Sequence, residues 1–325
     1  MPDGRPCPAC GGPLSPWRTV PASDPVLRAA QFRLLRCAEC GTAVTDPAEL
    51  LPADGTASSA RPGPADLYQR GAYRSGNPRL YRLVRPLLES FDRRRLTMLR
   101  PVVPPPARLL DAGAGRGRLV AAANLAGYDA FGLEPSPRGG EAAGAWRERI
   151  QQTGIEAAQI EPGSLDAVTL WHVLEHLEDP RLALERIRGW LAPRGAVLVG
   201  VPNLDSLQAR LGGSRWYHLD VPRHRTHFTA RGLHQLLADE GFSVRRTYQL
   251  VLEHNPFGMW QTLVSAFTST PSYLYNLLKR NASLRSPDLL VTAAAIPLVP
   301  FAGALELVAG LSGHGGTVAV VASRD

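Results

Sequence analysis

A glycine-rich turn between two apolar runs is the feature that most restricts how this chain can fold. Residues 108–136 read RLLDAGAGRGRLVAAANLAGYDAFGLEPS, and the two runs end at Asp111 and Glu134. Short apolar runs are consistent with buried parallel strands, and the GAGRG segment lies where the first strand would turn into a helix. The stretch predicts a β-α-β unit of an α/β fold, with a nucleotide at the carboxyl ends of its strands.

The two acids distinguish between classes of nucleotide. Glu134 follows Gly113 by 21 positions, where a carboxylate accepts hydrogen bonds from both ribose hydroxyls of an adenine nucleoside. The glycines are spaced G-x-G-x-G, whereas a dinucleotide site uses G-x-G-x-x-G. Asp111 beside the turn would repel a pyrophosphate but suits a ligand with an ammonium and a sulfonium group.

LLDAGAGRG followed by GLEPS resembles motif I and the second acidic motif of class I S-adenosylmethionine (SAM) methyltransferases. The resemblance covers roughly residues 107–250 and the last strand, expected within 315–323. It implies a Rossmann-like seven-stranded sheet in a domain spanning 107–325, SAM as cofactor, and methyl transfer as the reaction. Carried over by position, it implies that SAM is bound by Asp111, Gly113, Gly115, Glu134 and Trp171.

The segment after the second predicted strand fits this family less well. The family usually has an acid or Asn after its third strand to bind the adenine amino group, and GIEAAQIEPGSLDAV offers only Glu161 as a weak candidate. A fourth strand is expected over Ala167–Leu170, and GAVLVGVPN reads as a fifth.

Histidines supply the candidate catalytic groups. WHVLEH contains His172, Glu175 and His176 and resembles the E-x-x-E-H segment of ubiquinone-pathway O-methyltransferases, whose positions are associated with a divalent metal. His172 replaces the first acid, which leaves the metal open while supplying a base. WYHLDVPRHRTHF adds His218, His224 and His227 after the fifth strand. His172, His176 and His224 are the predicted catalytic residues, with structural roles as the alternative.

Two C-x-x-C pairs predict a structural zinc site near the N-terminus. Paired knuckles of this kind, each followed by Gly, offer four thiolates to one tetrahedral ion. Disulfides are disfavoured in the reducing, cytoplasmic location expected from the absence of a secretory signal pattern. The zinc ribbon is expected over residues 1–45, with these ligands: Cys7, Cys10, Cys37 and Cys40.

Between the ribbon and the main domain, residues 46–66 read as a linker and residues 67–106 as a basic helical bridge. The net charge of +7 arises ahead of the glycine turn, with 16 basic against 9 acidic residues in 1–110. The bridge is expected to be an amphipathic helical pair whose core-facing residues are Leu80, Leu83, Leu87 and Leu88. An Arg-rich surface that binds RNA is the alternative.

An insert over residues 251–315 separates the last two strands, which form a close pair in the family. Within it, residues 289–311 carry Glu306 as their only charge, and Pro297 and Pro300 argue against a simple membrane span. A hairpin that dips into one leaflet or a lid over a lipid-like acceptor is one interpretation, and a buried helical subdomain or dimer face is the other.

These features favour a SAM-dependent methyltransferase acting on a small-molecule or lipid-linked acceptor, at oxygen. They also favour peripheral contact with the inner face of the cell membrane through residues 289–311. An RNA methyltransferase that uses the ribbon and the bridge, or a non-enzymatic adaptor on a SAM-binding fold, are the alternatives.

Overall fold

The ribbon consists of three antiparallel strands that carry the cysteine knuckles at their ends. The computed structural model describes residues 5–23, 27, 30–52, 79–279 and 281–325. The strands are β1 (Leu14–Pro21), β2 (Ala30–Cys37) and β3 (Ala43–Pro52). Because β3 continues to Pro52, the ribbon extends past residue 45 into the predicted linker. The rest of that linker, and residues 67–78 of the bridge, lie outside the described residues.

One helix, α1 (Arg79–Leu99), forms the described part of the basic bridge, and it contains Pro86. Its C-terminal half packs inward through Leu96 and Leu99, which are buried. The expectation that Leu87 faces a core is wrong, because that side chain is 55% exposed, while Leu88 is half-buried. The side chains of Leu80 and Leu83 lie outside the described residues.

The remaining elements are strands interspersed with helices, and a helical insert precedes the last strand. They are, in chain order, β4 (Arg108–Ala112), α2 (Arg118–Leu125), β5 (Asp129–Leu133), α3 (Pro137–Glu141), β6 (Ile150–Gln151), β7 (Leu165–Trp171), α4 (Pro180–Trp190), β8 (Leu191–Pro202), α5 (Leu207–Gly212), β9 (Thr226–His227), α6 (Ala230–Asp239), β10 (Phe242–Tyr248), α7 (Asn255–Ser265), α8 (Tyr273–Leu278), α9 (Asp288–Ala294), α10 (Val299–Leu311) and β11 (Thr317–Arg324).

Seven of these strands form one sheet in the order β10-β11-β8-β7-β4-β5-β6. Strands β4 to β8 run parallel, and β11 is antiparallel to both of its neighbours. The Rossmann-like seven-stranded sheet expected from the sequence is confirmed. The parallel strands are largely apolar because both of their faces are covered, and their carboxyl ends meet along one edge.

Two helices, α4 and α6, begin at residues whose side chains cap the first turn. The Asp179 side chain accepts hydrogen bonds from the amides of Arg181 and Leu182 at 3.0 Å, and Pro180 occupies the first turn of α4. The Thr229 hydroxyl caps α6 by accepting from the Gly232 amide at 2.9 Å.

The ribbon is joined to the main domain by a shared sheet. Strand β9 pairs antiparallel with β3, with Ala43 opposite His227 and Val44 opposite Thr226. The Thr229 hydroxyl also donates to the carbonyl oxygen of Cys40 at 2.7 Å. The knuckles and the histidine-bearing loop before β9 therefore belong to one packed unit.

The insert separates β10 and β11 along the chain, although the two strands are paired in the sheet, and it is helical. Its one charge in 289–311, Glu306, is buried and accepts hydrogen bonds from the Gln208 amide group at 2.6 Å and the Gly316 amide at 2.8 Å. In the part of the chain that the structure describes, no single helix has the length and apolar character to cross a membrane. The helices 288–294 and 296–311 meet both criteria only as a pair, bent by 44°.

Candidate active site

The glycine turn after β4 needs residues that adopt left-handed backbone. Gly113 and Gly115 have φ of 80° and 54°, values that favour glycine. A Cβ atom on Gly113 would lie 2.4 Å from Cγ2 of Val173. The amides of Gly113 and Ala114 both donate to the carbonyl oxygen of Leu133 at 2.8 Å. The turn is thereby held against the carboxyl end of β5.

Glu134 lies at the end of β5, as the sequence predicts for a ribose-binding acid. Its buried carboxylate accepts hydrogen bonds from the amides of Gly115 and Ser136, both at 2.8 Å. A cleft of about 190 Å³, the cofactor cleft, lies beside it. The residues lining this cleft are Gly113, Leu133, Glu134, Pro135, Thr153, Gly154, Ile155, Glu156, Val173, His176 and Leu177.

The far wall of the cofactor cleft comes from residues that sequence reasoning missed. The third strand is the two-residue β6, and Thr153 to Glu156 follow it directly into the cleft. Glu161 is exposed and does not line the cleft, so the weak sequence candidate for the adenine position is not supported. A strand this short carries no periodicity from which it could be recognised.

Asp111 lies inside β4, one residue before its end, and is buried. It accepts a hydrogen bond from the Thr169 hydroxyl of β7 at 2.7 Å. Burial raises the pKa of Asp111 to about 6, although the hydrogen bond from Thr169 and the charge of Arg95 act in the opposite direction. A nearby cation would favour its ionised form.

Helix α1 adds an ionic cluster beside the glycine turn. Asp92 is buried, and its carboxylate lies 3.3 Å from Arg95 and 3.5 Å from Arg118, the first residue of α2. Neither Asp92 oxygen has a hydrogen-bond partner among the described residues. Arg95 also pairs with Glu253 of the insert. The cluster thus links α1, the glycine turn and the insert.

Trp171 lies beside this cluster and does not line the cofactor cleft. The Arg95 guanidinium stacks over its ring at 4.6 Å from the centroid. On the other side the ring lies against Gly200, where a Cβ atom would come within 2.6 Å of the indole. The indole N–H is buried without a hydrogen-bond partner in the described ranges.

These residues fit SAM. Glu134, which lines the cofactor cleft, suits its ribose, and the buried carboxylate of Asp111 suits its positively charged ammonium and sulfonium groups. The buried indole N–H of Trp171, which has no hydrogen-bond partner among the described residues, is a group for which a bound ligand would supply a partner.

Glu175 is the centre of the histidine cluster. Its Oε1 lies 3.0 Å from Nδ1 of His172 and 4.0 Å from Nε2 of His224. Burial alone would raise the pKa of Glu175, but the hydrogen bond from His172 and the surrounding histidines lower it to about 2. His172 has a φ of 54°, an uncommon conformation for a non-glycine residue. In this conformation its Nδ1 lies within hydrogen-bonding distance of the Glu175 carboxylate.

His176 and His224 pack edge to face with ring centroids 4.7 Å apart. Each ring nitrogen Nδ1 faces a backbone carbonyl oxygen: that of Arg223 at 3.0 Å for His176 and that of His218 at 2.8 Å for His224. Burial, followed by the charge of His176, lowers the pKa of His224 to about 4. His224 is therefore neutral at neutral pH.

A second cavity of about 430 Å³, the histidine cavity, adjoins this cluster. The ribbon, the loop before β9 and the insert all contribute to its wall, which consists of Ser23, His172, His176, Tyr217, His218, Asp220, Arg223, His224, His254, Phe257, Ser272, Tyr275, Asn276 and Lys279. His176 lines both this cavity and the cofactor cleft. The three predicted catalytic histidines thus meet in one place.

His227 has a different position from the other two histidines of its segment. His218 and His224 line the histidine cavity, whereas His227 points toward the ribbon, where its Nε2 lies 3.0 Å from the Thr45 hydroxyl. The Thr45 hydroxyl donates to the carbonyl oxygen of His224 at 2.8 Å. This places His227 in the packing between ribbon and loop.

The four cysteines form a compact cluster. Their sulfur atoms all lie within 4.8 Å of one another, with Cys7 to Cys40 at 3.7 Å and Cys10 to Cys37 at 3.5 Å. Disulfide sulfurs are about 2.05 Å apart, whereas a tetrahedron with zinc–sulfur bonds of about 2.3 Å has edges near this spacing. The cluster therefore fits a zinc ion better than two disulfides.

Comparison with known proteins decides the family. Residues 82–247, just over half of the chain, match a family model described as a methyltransferase domain. The chain belongs to this family. It is a class I SAM-dependent methyltransferase, in agreement with the sheet order and the glycine turn. This enzyme assignment argues against the alternative of a non-enzymatic adaptor.

The methyltransferase also resembles individual proteins. An uncharacterized 37.1 kDa protein in transposon TN4556 of Streptomyces fradiae is 32% identical over 149 residues, which cover 42% of this chain and 43% of that protein. The chain thus matches less than half of that relative's length.

Two solved structures are similar to this chain over most of their length. One is 1,6-didemethyltoxoflavin-N1-methyltransferase of Burkholderia thailandensis with its acceptor and S-adenosylhomocysteine bound, at 18% identity, a TM-score of 0.45 and coverage of 88% of this chain and 97% of that one. The other is a SAM-dependent methyltransferase of Archaeoglobus fulgidus, at 15% identity, a TM-score of 0.44 and coverage of 74% and 94%.

Proposed function

We propose that the methyltransferase transfers the methyl group of SAM to a hydroxyl oxygen of an acceptor held in the histidine cavity. The observation that carries this proposal is the His172–Glu175 pair: a histidine in the cavity wall whose Nδ1 is hydrogen-bonded to a buried carboxylate. SAM, when bound, supplies an electrophilic methyl group, so the protein must orient the acceptor and remove its proton.

His172 would act as the base. Donation from Nδ1 to Glu175 leaves the lone pair of the neutral ring on Nε2, and the carboxylate stabilises the imidazolium that forms when the hydroxyl proton arrives. His176, which lines both cavities, would position the acceptor against the cofactor cleft.

The cofactor part of the proposal is tested by calorimetric titration with SAM. Glu134→Gln should weaken binding by at least about tenfold, or about 1.4 kcal/mol. Glu161→Gln is the matched control, because Glu161 is exposed and does not line the cleft. Equal losses in both variants would contradict the assignment of Glu134 to the ribose.

The transfer step is tested by incubating the enzyme with isotope-labelled SAM and with either a polar extract or a lipid extract as the source of the acceptor. His172→Asn should abolish label transfer while binding SAM like the wild type. Transfer that survives in His172→Asn, or label recovered on nitrogen, would contradict a histidine-assisted transfer to oxygen.

We further propose that the insert rests on a membrane surface and presents a lipid-linked acceptor to the histidine cavity. Helices α9 and α10 are inverted relative to those of an ordinary soluble domain. They bury polar and small residues, listed as Asp288, Thr292, Ala302, Glu306, Ala309 and Gly310. Val291 and Leu305 pack against the core of the insert, but most of the large apolar residues face outward. Several in or next to these helices are more than 50% exposed: Leu290, Ile296, Leu298, Phe301, Val308 and Leu311.

Such a face favours an apolar environment, because contiguous exposed apolar patches mark interaction surfaces. The same insert supplies Phe257, Tyr275 and Lys279 to the cavity wall, which suits an acceptor whose lipid part stays in the bilayer. Thiols that are not joined in disulfides are typical of a reducing compartment. We therefore propose that the contact is with the inner face of the cell membrane.

Flotation with phospholipid vesicles tests this contact. Phe301→Asn combined with Leu311→Asn should release the protein from vesicles. Leu125→Asn is the control, since Leu125 is 83% exposed on α2, outside the insert. Protein that never floats, or a double variant that floats like the wild type, would refute the membrane contact.

One arginine of the bridge is not available to RNA, although Arg93, Arg94 and Arg100 of the same segment are exposed. Arg95 is buried and pairs with Asp92 and Glu253, so this Arg is not offered to a phosphate backbone. Retention on RNA that falls steeply with salt would revive that alternative.

A further inference from the structure

A cleft of about 310 Å³, the arginine cleft, lies where the ribbon meets the main domain. Strands β1 and β2 supply one wall, and α5 with the residues on both sides of it supplies the other. The polar and aromatic residues of this lining are Trp17, Arg18, Arg36, Asp205, Arg210 and Trp216. None of these six residues lines the cofactor cleft or the histidine cavity.

A β-bulge in β1 brings two consecutive side chains to this cleft. The pairing of β1 with β2 shifts register between Pro16 and Arg18, so Trp17 is the extra residue. Successive side chains of a regular strand point to opposite faces, whereas both Trp17 and Arg18 line the cleft. The Arg18 guanidinium lies over the Trp17 ring at 3.6 Å from its centroid, and that of Arg36 lies at 4.8 Å. Two cations are thus held against one indole.

The cations of the arginine cleft outnumber its acids. Three arginines line it, and Asp205 is the one acid among the described lining residues. That carboxylate lies 3.5 Å from Arg36. Arg18 and Arg210 form no salt bridge with any acid that the structure describes. Burial, followed by the charge of Arg36, lowers the pKa of Arg18. Two guanidiniums in the cleft therefore lack an anionic partner.

Trp216 supplies the second, independent observation. The residue is 3% exposed, and its indole N–H has no hydrogen-bond partner in the described part of the chain. Arg18 reaches across the cleft to the loop that carries Trp216, since a Cβ atom on Gly213 would lie 3.8 Å from its Nη1. A buried donor without an acceptor is costly, and an anion beside it would satisfy it.

We propose that the arginine cleft binds a phosphate group through Arg18, Arg210 and the Trp216 N–H. The planar fork of a guanidinium matches two phosphate oxygens. A phosphate ester carries about 1.5 to 2 negative charges at pH 7, which balances three arginines against one aspartate better than a single carboxylate does. A soluble phosphate ester and a lipid headgroup present the same oxygens, so the test must separate these two sources.

One loop contributes to both the arginine cleft and the histidine cavity. Trp216 and Leu219 line the cleft, whereas Tyr217, His218 and Asp220 line the cavity. A phosphate bound between β1 and this loop should slow the local opening of the loop, because a ligand stabilises the conformation to which it binds. Hydrogen exchange at the Leu219 amide, which donates to the Trp216 carbonyl oxygen at 3.1 Å, measures this opening.

Calorimetry with inorganic phosphate on the intact chain tests the site. Arg18→Gln and Arg210→Gln should each weaken binding by about tenfold, since each removes a charged hydrogen-bond donor. Phosphate should slow exchange at the Leu219 amide in the wild type and leave it unchanged in Arg18→Gln. Arg231→Gln is the matched control and should bind like the wild type, because Arg231 is exposed on α6, outside the cleft.

Flotation with phosphatidylcholine vesicles, with and without phosphatidic acid, separates the two sources. If the ligand is a lipid headgroup, phosphatidic acid should increase flotation and Arg18→Gln should remove the increase. If it is a soluble ester, Arg18→Gln should weaken phosphate binding without changing flotation. Circular dichroism shows whether each variant is folded, and Arg210 is exposed, so its replacement tests the cleft even if Arg18→Gln does not fold.

Two results would overturn the proposal. One is a wild type that neither binds phosphate nor gains flotation from phosphatidic acid. The other is binding that is equal in Arg210→Gln and Arg231→Gln. None of these readouts uses methyl transfer or the acceptor, so the phosphate site and the proposed function can fail separately.

Discussion

The Thr45 hydroxyl is the contact through which the ribbon should stabilise the histidine loop. It donates to the carbonyl oxygen of His224 at 2.8 Å and accepts from Nε2 of His227 at 3.0 Å. Burial lowers the pKa of His227 to about 3, so the ring is neutral at pH 7. Because Thr45 donates its one hydroxyl hydrogen to His224, Nε2 of His227 carries the ring hydrogen and donates it to the Thr45 oxygen. Thr45→Val keeps the shape of the side chain and removes both hydrogen bonds.

Each group left buried without its partner costs about 1–3 kcal/mol. Allowing for some relaxation, Thr45→Val should reduce the free energy of opening the loop by about 2–4 kcal/mol. Hydrogen exchange at the Arg225 amide, which donates to the Glu175 carbonyl oxygen at 2.8 Å, measures this opening. The exchange rate should rise by roughly 30- to 700-fold.

Thr19→Val is the control, because Thr19 is an exposed residue of β1 in the same ribbon sheet. Its effect should stay within about 0.5 kcal/mol. SAM affinity should be unchanged in both variants, since neither residue lines the cofactor cleft. An Arg225 amide that exchanges in Thr45→Val as slowly as in Thr19→Val would refute the idea that the ribbon holds the loop.

Three further predictions concern the cofactor side, the insert and the zinc site. Because burial raises the pKa of Asp111 to about 6, this group is protonated below that pH and ionised above it. SAM affinity measured by calorimetry should therefore rise between pH 5 and pH 7, and Asp111→Asn should remove the rise. Glu306→Ala removes the acceptor of the Gly316 amide and one of the two acceptors of the Gln208 amide group, and it should cost about 2–4 kcal/mol in urea unfolding. A cost below about 1 kcal/mol would mean that Glu306 does not anchor the insert. Elemental analysis should find about one zinc per chain. Cys37→Ser should lower the zinc content and accelerate hydrogen exchange at the Arg225 amide. Zinc loss without any change in that exchange would show that the knuckles and the loop are independent.

The parts of the site that sequence analysis predicts are those encoded within short segments. Asp111, the glycine turn and Glu134 are close in sequence, and the two strands that carry them are apolar and adjacent in the sheet. The cysteine pairs are recognisable for the same reason, because each knuckle is a local turn and only the joining of the two is tertiary.

The missed residues depend on tertiary placement. Asp92 and Arg95 lie three positions apart on a basic helix, a spacing that also describes an exposed ion pair, and only the packing of α1 against the glycine turn buries them. His224 and His227 are equally plausible as cavity residues in the sequence, and the pairing of β9 with β3 turns His227 toward the ribbon. The outward orientation of the large apolar residues of α10 could not be predicted either, because the sequence of this segment is almost uncharged.

The segment matched by the family model and the wall of the histidine cavity do not coincide. Residues 82–247 contain the glycine turn, Glu134 and the Glu175 cluster, to which the proposed function assigns cofactor binding and proton removal. Ser23 from the ribbon and several residues from the insert, including His254, Phe257 and Tyr275, lie outside that match and yet line the cavity. Because substrate choice depends on the side chains that surround the acceptor, we infer that the ribbon and the insert determine which acceptor is methylated. Exchanging those two segments between relatives should change the acceptor and leave SAM binding intact.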